Sequence, residues 1–310
     1  MGCGITINKV EMHIPVLERE LLDQFSFLKG DAIVVDCTLG EGGHADGLLS
    51  SNANIHVVGI ERDSHLAKNT REKLTKKYGE RITVINDSYT NLKDILSKHE
   101  LLLPESIKVI YFDLGACLWH YKDSGRGFSF KLKEPLDMRF NKKSGRKASD
   151  IVADSSKEEL IDIFNDYGEV KFSRSIVNAI YKKRKSSKIK NTQDLIEIIT
   201  NALSGKPETL KNREIRKVFQ ALRIATNDEL GSMMVGIKQA VEVVALGGRV
   251  AVITYHSTED RMVKRFFANT DIVFSVIKKP IQPTLMEKRF NISSRSAKLR
   301  VVEKQINNKK

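Results

Sequence analysis

Cysteine, proline and tryptophan are scarce in this chain, with three, six and one in 310 residues. Cys3, Cys37 and Cys117 are too few and too scattered for a disulfide framework or a zinc site. The reading is a protein of the reducing cytoplasm with no structural metal. No apolar run approaches the roughly 18–20 residues that cross a bilayer, which argues against a membrane partner. The first residues lack an apolar h-region, so no secretory leader is expected. Met1-Gly2-Cys3-Gly4-Ile5-Thr6 fits the loose myristoylation pattern, but nothing around it supports an anchor. No internal repeat is visible.

Positive charge, in contrast, is plentiful. The net charge is +13, and between Tyr121 and Arg223 there are 24 Lys and Arg against 14 Asp and Glu. Such a concentration points to a polyanionic partner. Hydrophobic residues make up 41% of the chain, enough for a large core.

Val34-Val35-Asp36-Cys37-Thr38-Leu39-Gly40-Glu41-Gly42-Gly43-His44 reads as a buried strand breaking into a glycine loop before a helix. Glycines allow close backbone approach, and the N–H groups of a helix's first turn meet polar ligand atoms. The loop also satisfies the dinucleotide pattern G-x-G-x-x-A, so alone it does not choose between ligands. Around it, apolar strands at 32–37, 56–60, 82–85 and 108–112 alternate with helices. This rhythm predicts an α/β fold with a parallel, doubly wound sheet.

The rhythm stops near Ser124. From 124 to 223 only loops and helical patterns appear, among them a capping box at Ser156-Lys157-Glu158-Glu159 and helices from Phe172, over 192–203 and over 215–224. A long helix over 227–245, a strand over 249–255, a helix over 259–268 and two antiparallel strands at 272–278 and 298–303 follow. The expected organisation is a sheet domain in two parts, 1–123 and 224–304, a helical insert at 124–223 and a disordered tail at 305–310.

In open α/β sheets the ligand lies at the carboxyl ends of the strands. Those ends carry the glycine loop, Glu61, Asp87-Ser88-Tyr89 and Asp113. A carboxylate such as Glu61 suits a ribose diol, in a nicotinamide dinucleotide and in S-adenosylmethionine alike.

Several motifs bear on the choice. Asp36-x-Thr38-Leu39-Gly40-x-Gly42-Gly43-His44, Gly127-Phe128-Ser129-Phe130 and Pro135-Leu136-Asp137-Met138-Arg139 are followed by Phe219-Gln220-Ala221-Leu222-Arg223-Ile224-x-x-Asn227-Asp228-Glu229-Leu230, His256-Ser257-x-Glu259-Asp260-Arg261 and Arg295-Ser296-Ala297-Lys298-Leu299-Arg300. In order, over nearly the whole chain, they resemble the ribosomal RNA small-subunit methyltransferase H family, also called MraW. The resemblance implies a class I, Rossmann-like methyltransferase fold with S-adenosylmethionine as cofactor. It also implies methylation of a cytidine N4 in the decoding region of 16S rRNA, with the small ribosomal subunit as partner and DNA not expected. By matched position, it places cofactor contacts on Gly42, Gly43, His44, Glu61, Tyr89, Asp113 and His120. Homodimerisation stays open.

Asp113 is the candidate acceptor for an N–H of the target amine, and His256 either takes a proton or caps the following helix. Trp119 and Tyr121 are candidates to stack on a base, with burial the alternative for Trp119. Lys182–Lys190 and Arg213–Lys217 are candidate phosphate contacts. Two departures stand out. Where the family commonly has Val-Ser-Ser-Pro-Gln after Asp-Leu-Gly, this chain has Ala116-Cys117-Leu118-Trp119-His120, and Thr254-Tyr255 stands where Ser-Phe is frequent. The rival readings are a non-catalytic RNA-binding protein on the same fold and a nicotinamide-dependent oxidoreductase.

Overall fold

The computed structural model describes residues 15–101 and 105–305, so the myristoylation pattern, His13 and all of the expected tail except Gln305 lie outside the described residues. Its sheet contains β1 Ala32–Asp36, β2 Ile55–Ile60, β3 Ile82–Ile85, β4 Ile107–Asp113, β5 Arg249–Thr254, β6 Val273–Ser275 and β7 Lys298–Lys304. The strand order is β3-β2-β1-β4-β5-β7-β6. β1 to β5 pair in parallel, and β7 runs antiparallel to both β5 and β6. This is the class I methyltransferase arrangement.

Helices follow the strands: α1 Glu18–Gln24, α2 Gly43–Ser51, α3 Ser64–Tyr78, α4 Leu92–Lys98 and the short α5 Leu118–Lys122. Then come α6 Ala148–Asp154, α7 Lys157–Gly168, α8 Ser173–Arg184, α9 Thr192–Ala202 and α10 Glu208–Asn227. α11 Glu229–Val243, α12 Ser257–Ala268 and α13 Leu285–Phe290 complete the set.

Side chains alternate across a strand, so each face of the sheet gathers its own core. Val34, Val57, Val109 and Tyr111 pack with Leu21 of α1, Leu48 of α2 and Leu74 of α3. Val35, Val58, Ile110 and Phe112 pack with Ile95 of α4, Ile237 of α11 and Val263 of α12. Burying a side chain of this kind contributes about 1.5–3 kcal/mol. A third core, with Leu160, Phe164, Ile176, Leu195, Val218 and Leu222, belongs to α6–α10.

Several expectations are met and some are corrected. The terminal strands are antiparallel, as expected, but β7 lies between β5 and β6, and β6 is three residues long. Phe274 and Val276 are exposed there, so of the run over 272–278 only Val273 is buried in the core, and the edge strand stays short. α10 begins at Glu208 rather than 215, because its first turns carry polar residues that leave no apolar period to read. It crosses position 223 unbroken to Asn227. Asp228, at φ 46°, then breaks the chain left-handedly before α11, so the helix expected over 227–245 starts two residues later. α5 was not expected, being too short for periodicity and lacking a side-chain cap. The capping box at Ser156 and Glu159 is present.

α7 and α10 cross where Gly168 has no side chain. A Cβ there would stand 2.6 Å from the Lys217 carbonyl oxygen and 3.0 Å from Ala221 Cβ. The first contact is backbone, which cannot rotate away. Gly168→Ala is therefore expected to destabilise the protein by about 1–3 kcal/mol in denaturant unfolding. Wild-type stability in that variant would mean that the crossing is looser than described.

Candidate active site

Asp36 and Thr38 build the floor of the site. The buried Asp36 carboxylate accepts from the Tyr111 hydroxyl at 2.6 Å and from Thr38 N at 3.0 Å. Burial pushes its pKa up to about 6. Thr38 Oγ1 in turn accepts from Asp113 N at 2.6 Å, tying the first loop to the end of β4. The Asp-x-Thr of the glycine-loop motif is thus a brace between two strand ends.

Above it opens a cleft of about 530 Å³, lined by the glycine loop, the ends of β2, β4 and β5, and part of α10. Glu61 is 8% exposed and reaches into it. Its Oε2 accepts from Gly40 N at 2.8 Å and its Oε1 from Asp63 N at 2.7 Å. Burial outweighs these two bonds and raises the carboxyl to about 7. Tyr89 lines the cleft with its ring edge-on to Phe112 at 5.5 Å.

Asp113 also lines the cleft. Its Oδ1 accepts from the Tyr255 hydroxyl at 2.6 Å, and its Oδ2 lies 3.6 Å from His44 Nδ1. His44 Nε2 is 2.9 Å from the Val16 carbonyl oxygen, which fixes Nε2 as the donor. Burial lowers the pKa of His44, so the neutral ring turns the lone pair of Nδ1 toward Asp113.

The glycines serve the loop's own packing. Gly42 does not line the cleft. It has φ 76°, and a Cβ there would meet Thr70 Cγ2 at 2.8 Å and Leu74 Cδ1 at 2.9 Å. Gly43 lines the cleft, but a Cβ would meet Pro15 Cγ at 2.6 Å. Their small size lets the loop lie against α3 and Pro15, rather than only against a ligand.

His120 sits at the back wall, 4% exposed, between Phe128 and Phe140 at centroid distances of 5.0 and 4.9 Å. Its Nδ1 is 3.1 Å from Cys117 Sγ, and its Nε2 is 3.5 Å from Asp63 Oδ2. Burial lowers its pKa. The residues that depart from the family pattern therefore bond one another. Burial likewise raises the Cys117 thiol, which opposes a thiolate nucleophile there. Trp119 faces away from the main cleft, stacked on His65 at 4.8 Å with the Arg126 guanidinium over its ring. Tyr121 does line the cleft, its hydroxyl accepting from Arg223 at 2.6 Å. His256 lines the cleft but caps α12, its Nδ1 accepting from Glu259 N at 3.4 Å and its Nε2 lying 2.8 Å from Glu259 Oε1.

Two features escaped the sequence. Arg223 forms a bidentate pair with Glu229 at 2.8 and 3.0 Å across the helix break at Asp228. The signal was their shared place in one motif, six positions apart. The Tyr255–Asp113 bond joins residues 142 positions apart, and only the departure at Tyr255 drew attention to it.

Among the described residues no cluster of His, Cys, Asp and Glu could hold a metal. The cleft's charged lining sets the carboxylates Glu41, Glu61, Asp113, Glu229 and Glu259 against Arg62, Arg216 and Arg223, with Glu41, Glu61 and Asp113 near the glycine loop. Its Arg223 is engaged by Glu229, and Arg62 donates to the Asn227 carbonyl at 3.0 Å. Such a lining suits a nucleoside bearing a sulfonium cation and opposes a pyrophosphate. The residues present fit S-adenosylmethionine.

Residues 10–305 match the model of the MraW methylase family. The chain belongs to this family. It is 40% identical over 299 residues to a ribosomal RNA small subunit methyltransferase H of Dictyoglomus thermophilum, covering 96% of this chain and 98% of that protein. To a protein of the same name from Borrelia turicatae it is 40% identical over 297 residues, with 94% and 97% covered. Among solved structures it is similar to an rRNA methylase from Streptococcus thermophilus, at 13% identity and TM-score 0.42 with 90% of each chain covered. A Streptococcus mutans protein crystallised in complex with SAH shows 15% identity and TM-score 0.45, covering 93% of this chain and 97% of that one.

Glu61 supplies a test of cofactor placement. With its pKa raised to about 7, Glu61 carries a large protonated fraction at neutral pH before cofactor binds. Ribose hydroxyls donate to the carboxylate and favour the ionised form. Binding should therefore release a proton, and affinity for S-adenosylmethionine should rise as pH climbs through 7 and level off above it. Below pH 7 the decline approaches tenfold per unit. Calorimetry in buffers of differing ionisation enthalpy measures the proton, and Glu61→Gln should abolish the dependence. A pH-independent wild type would remove Glu61 from the ribose.

Proposed function

We propose that this chain methylates the exocyclic N4 of a cytidine in the decoding region of small-subunit 16S rRNA, using S-adenosylmethionine. The observation that carries the reading is Asp113, whose carboxylate is fixed by Tyr255 at the end of β4 and faces an acid-lined cleft in a chain of the MraW family. The relatives named ribosomal RNA small subunit methyltransferase H support the substrate class.

When bound, the cofactor supplies an electrophilic methyl on a sulfonium. Cytosine N4 is a weak nucleophile because its lone pair is delocalised into the ring. Asp113 meets that difficulty by accepting an N–H, which lets the nitrogen pyramidalise and takes the proton it must lose. The Tyr255 hydroxyl holds Oδ1, so the carboxylate keeps one orientation, and positioning supplies much of the rate. His256 is the cap of α12 and orients Glu259. Glu61 and Tyr89 hold the adenosine, with Gly40, Gly43 and His44 beside the methionine end. Gly42 shapes the loop from behind, and His120 supports the back wall.

The insert over 124–223 is the RNA-binding unit in this proposal. Lys182, Lys183, Lys185, Lys188 and Lys190 are exposed along its surface, as are Arg213 and Arg216. Arg216 also lines the cleft, linking that surface to the site. No helix among the described residues is long and apolar enough to cross a membrane. A cytoplasmic enzyme acting on the small ribosomal subunit is the corresponding setting.

The test combines under-methylated small subunits, labelled S-adenosylmethionine and nucleoside mass spectrometry of the recovered rRNA. Label in N4-methylcytidine is expected. Label only at ring carbon five, or none, would sink the proposal. Asp113→Ala is expected to lower turnover by at least about 10²-fold while RNA affinity changes little. Undiminished methylation by that variant would take Asp113 out of the chemistry.

A further inference from the structure

The segment between β6 and β7 carries a surface with no role in the fold. Leu285, Met286 and Phe290 of α13 and Ile292 after it are 78, 64, 75 and 68% exposed, the most exposed large apolar side chains among the described residues. Scattered exposed apolar residues are ordinary, but four within eight positions form a patch. The patch is firmly built. Thr284 Oγ1 caps α13 by accepting from Glu287 N at 3.1 Å, and Glu287 Oε1 accepts from Leu17 N at 2.8 Å. Asn291 N donates to the Glu287 carbonyl at 2.7 Å. The side chains are thus held out in solvent by a fixed backbone.

Charge and position identify the occupant. From Lys278 to Arg300 the chain has seven Lys and Arg and a single carboxylate, Glu287. Asp260 engages two of the cations, Lys298 and Arg300. Lys278, Lys279, Arg289 and Arg295 are exposed in the same segment, with Arg289 and Arg295 next to the patch in sequence. Directly after it, Ser293 and Ser296 line the cofactor cleft, so the patch continues onto the cleft's rim. Apolar faces interleaved with cations suit a single strand of nucleic acid, whose bases stack and whose phosphates pair with arginine. Charge complementarity favours a polyanion there over a second copy of this chain, which carries the same net charge of +13.

We propose that α13 and the turn after it form a second RNA-binding lip, separate from the helical insert. On this lip Phe290 stacks on an unpaired base next to the target nucleotide, and Arg289 and Arg295 neutralise the adjoining phosphates. The proposal rests on the rRNA reading above and adds the surface that presents the strand. Two contact surfaces hold the strand on either side of the flipped base, which keeps that base extended into the cleft.

The experiment uses the full chain and its Phe290→Ala, Phe290→Tyr and Arg289→Ala/Arg295→Ala variants. KM for under-methylated small subunits and Kd for a single-stranded RNA oligonucleotide are measured across a salt series. Phe290→Ala is expected to raise both about tenfold, with Phe290→Tyr restoring most of the loss. The double arginine variant should flatten the slope of log Kd against log salt by about 1.4. S-adenosylmethionine affinity should keep its wild-type value in all three, which shows that the fold and cleft are intact. Unchanged KM and RNA Kd in Phe290→Ala and the double variant would overturn the proposal. So would a wild-type dimer that Phe290→Ala dissociates in sedimentation while RNA Kd stays fixed, because the patch then meets a second copy. A wild type that leaves the subunits unmethylated refutes the rRNA reading instead, and the oligonucleotide Kd still judges the lip.

Discussion

Three consecutive residues at the end of β2 hold the molecule's parts in register. Glu61 accepts from Gly40 N and Asp63 N, so one carboxylate joins the glycine loop to its own turn. Arg62 donates to the carbonyl of Asn227 at the end of α10. Asp63, 2% exposed, caps α3 by accepting from His65 N at 2.9 Å and pairs with the buried Arg126. Arg126 donates in turn to the carbonyl oxygens of Arg139 and Phe140 at 2.8 and 2.9 Å. Burial alone would raise the Asp63 carboxyl, but the Arg126 guanidinium, with His120 Nε2 at 3.5 Å, outweighs it and holds the pKa down to about 2. Breaking such a buried pair costs about 3–5 kcal/mol.

The helical insert is anchored through the same place. Asn227 donates to the Met138 carbonyl at 2.7 Å and accepts from Phe140 N at 2.8 Å, so the strap at 138–140 is held from both sides by Arg126 and Asn227. Glu61, the residue suited to a ribose, is two positions from Asp63. Asp63 in turn meets, through His120, the wall that carries Phe128 and Phe140. The altered loop after Asp113 belongs to that wall. Cys117 and His120 face each other within it, and the Tyr255 hydroxyl reaches Asp113 from β5. Where a relative has phenylalanine at this last position, the equivalent carboxylate lacks that donor.

Much of the fold was legible because buried parallel strands are written as short β-branched runs and the amphipathic helices keep their period. Asp36-x-Thr38, Glu61 and Asp113 could be found at strand ends because topology sends ligands there. Other features were hidden for physical reasons. α5 and α13 are too short to show a period. The polar opening of α10 is helical through its continuation, not through its own pattern. Trp119 gave no sign of its stack on His65, 54 positions away, because such a contact depends on how α3 meets the loop after β4. The glycines were visible, but the neighbours they make room for, Thr70, Leu74 and Pro15, were not.

The arrangement of charge connects these details. The chain is strongly cationic outside, through the insert and the segment around α13, and carboxylate-lined inside its cleft. A uniformly basic protein would draw phosphates into every concavity, including the one suited to a sulfonium. Here Glu41 and Asp113 disfavour a phosphate backbone in the interior, while exposed Lys and Arg attract it to the rim. A strand gathered at the rim can send inward only an uncharged base. In the proposed mechanism Asp113 then meets an amine rather than a phosphate, and the charge pattern that draws the polyanion also selects which of its atoms enters the cleft.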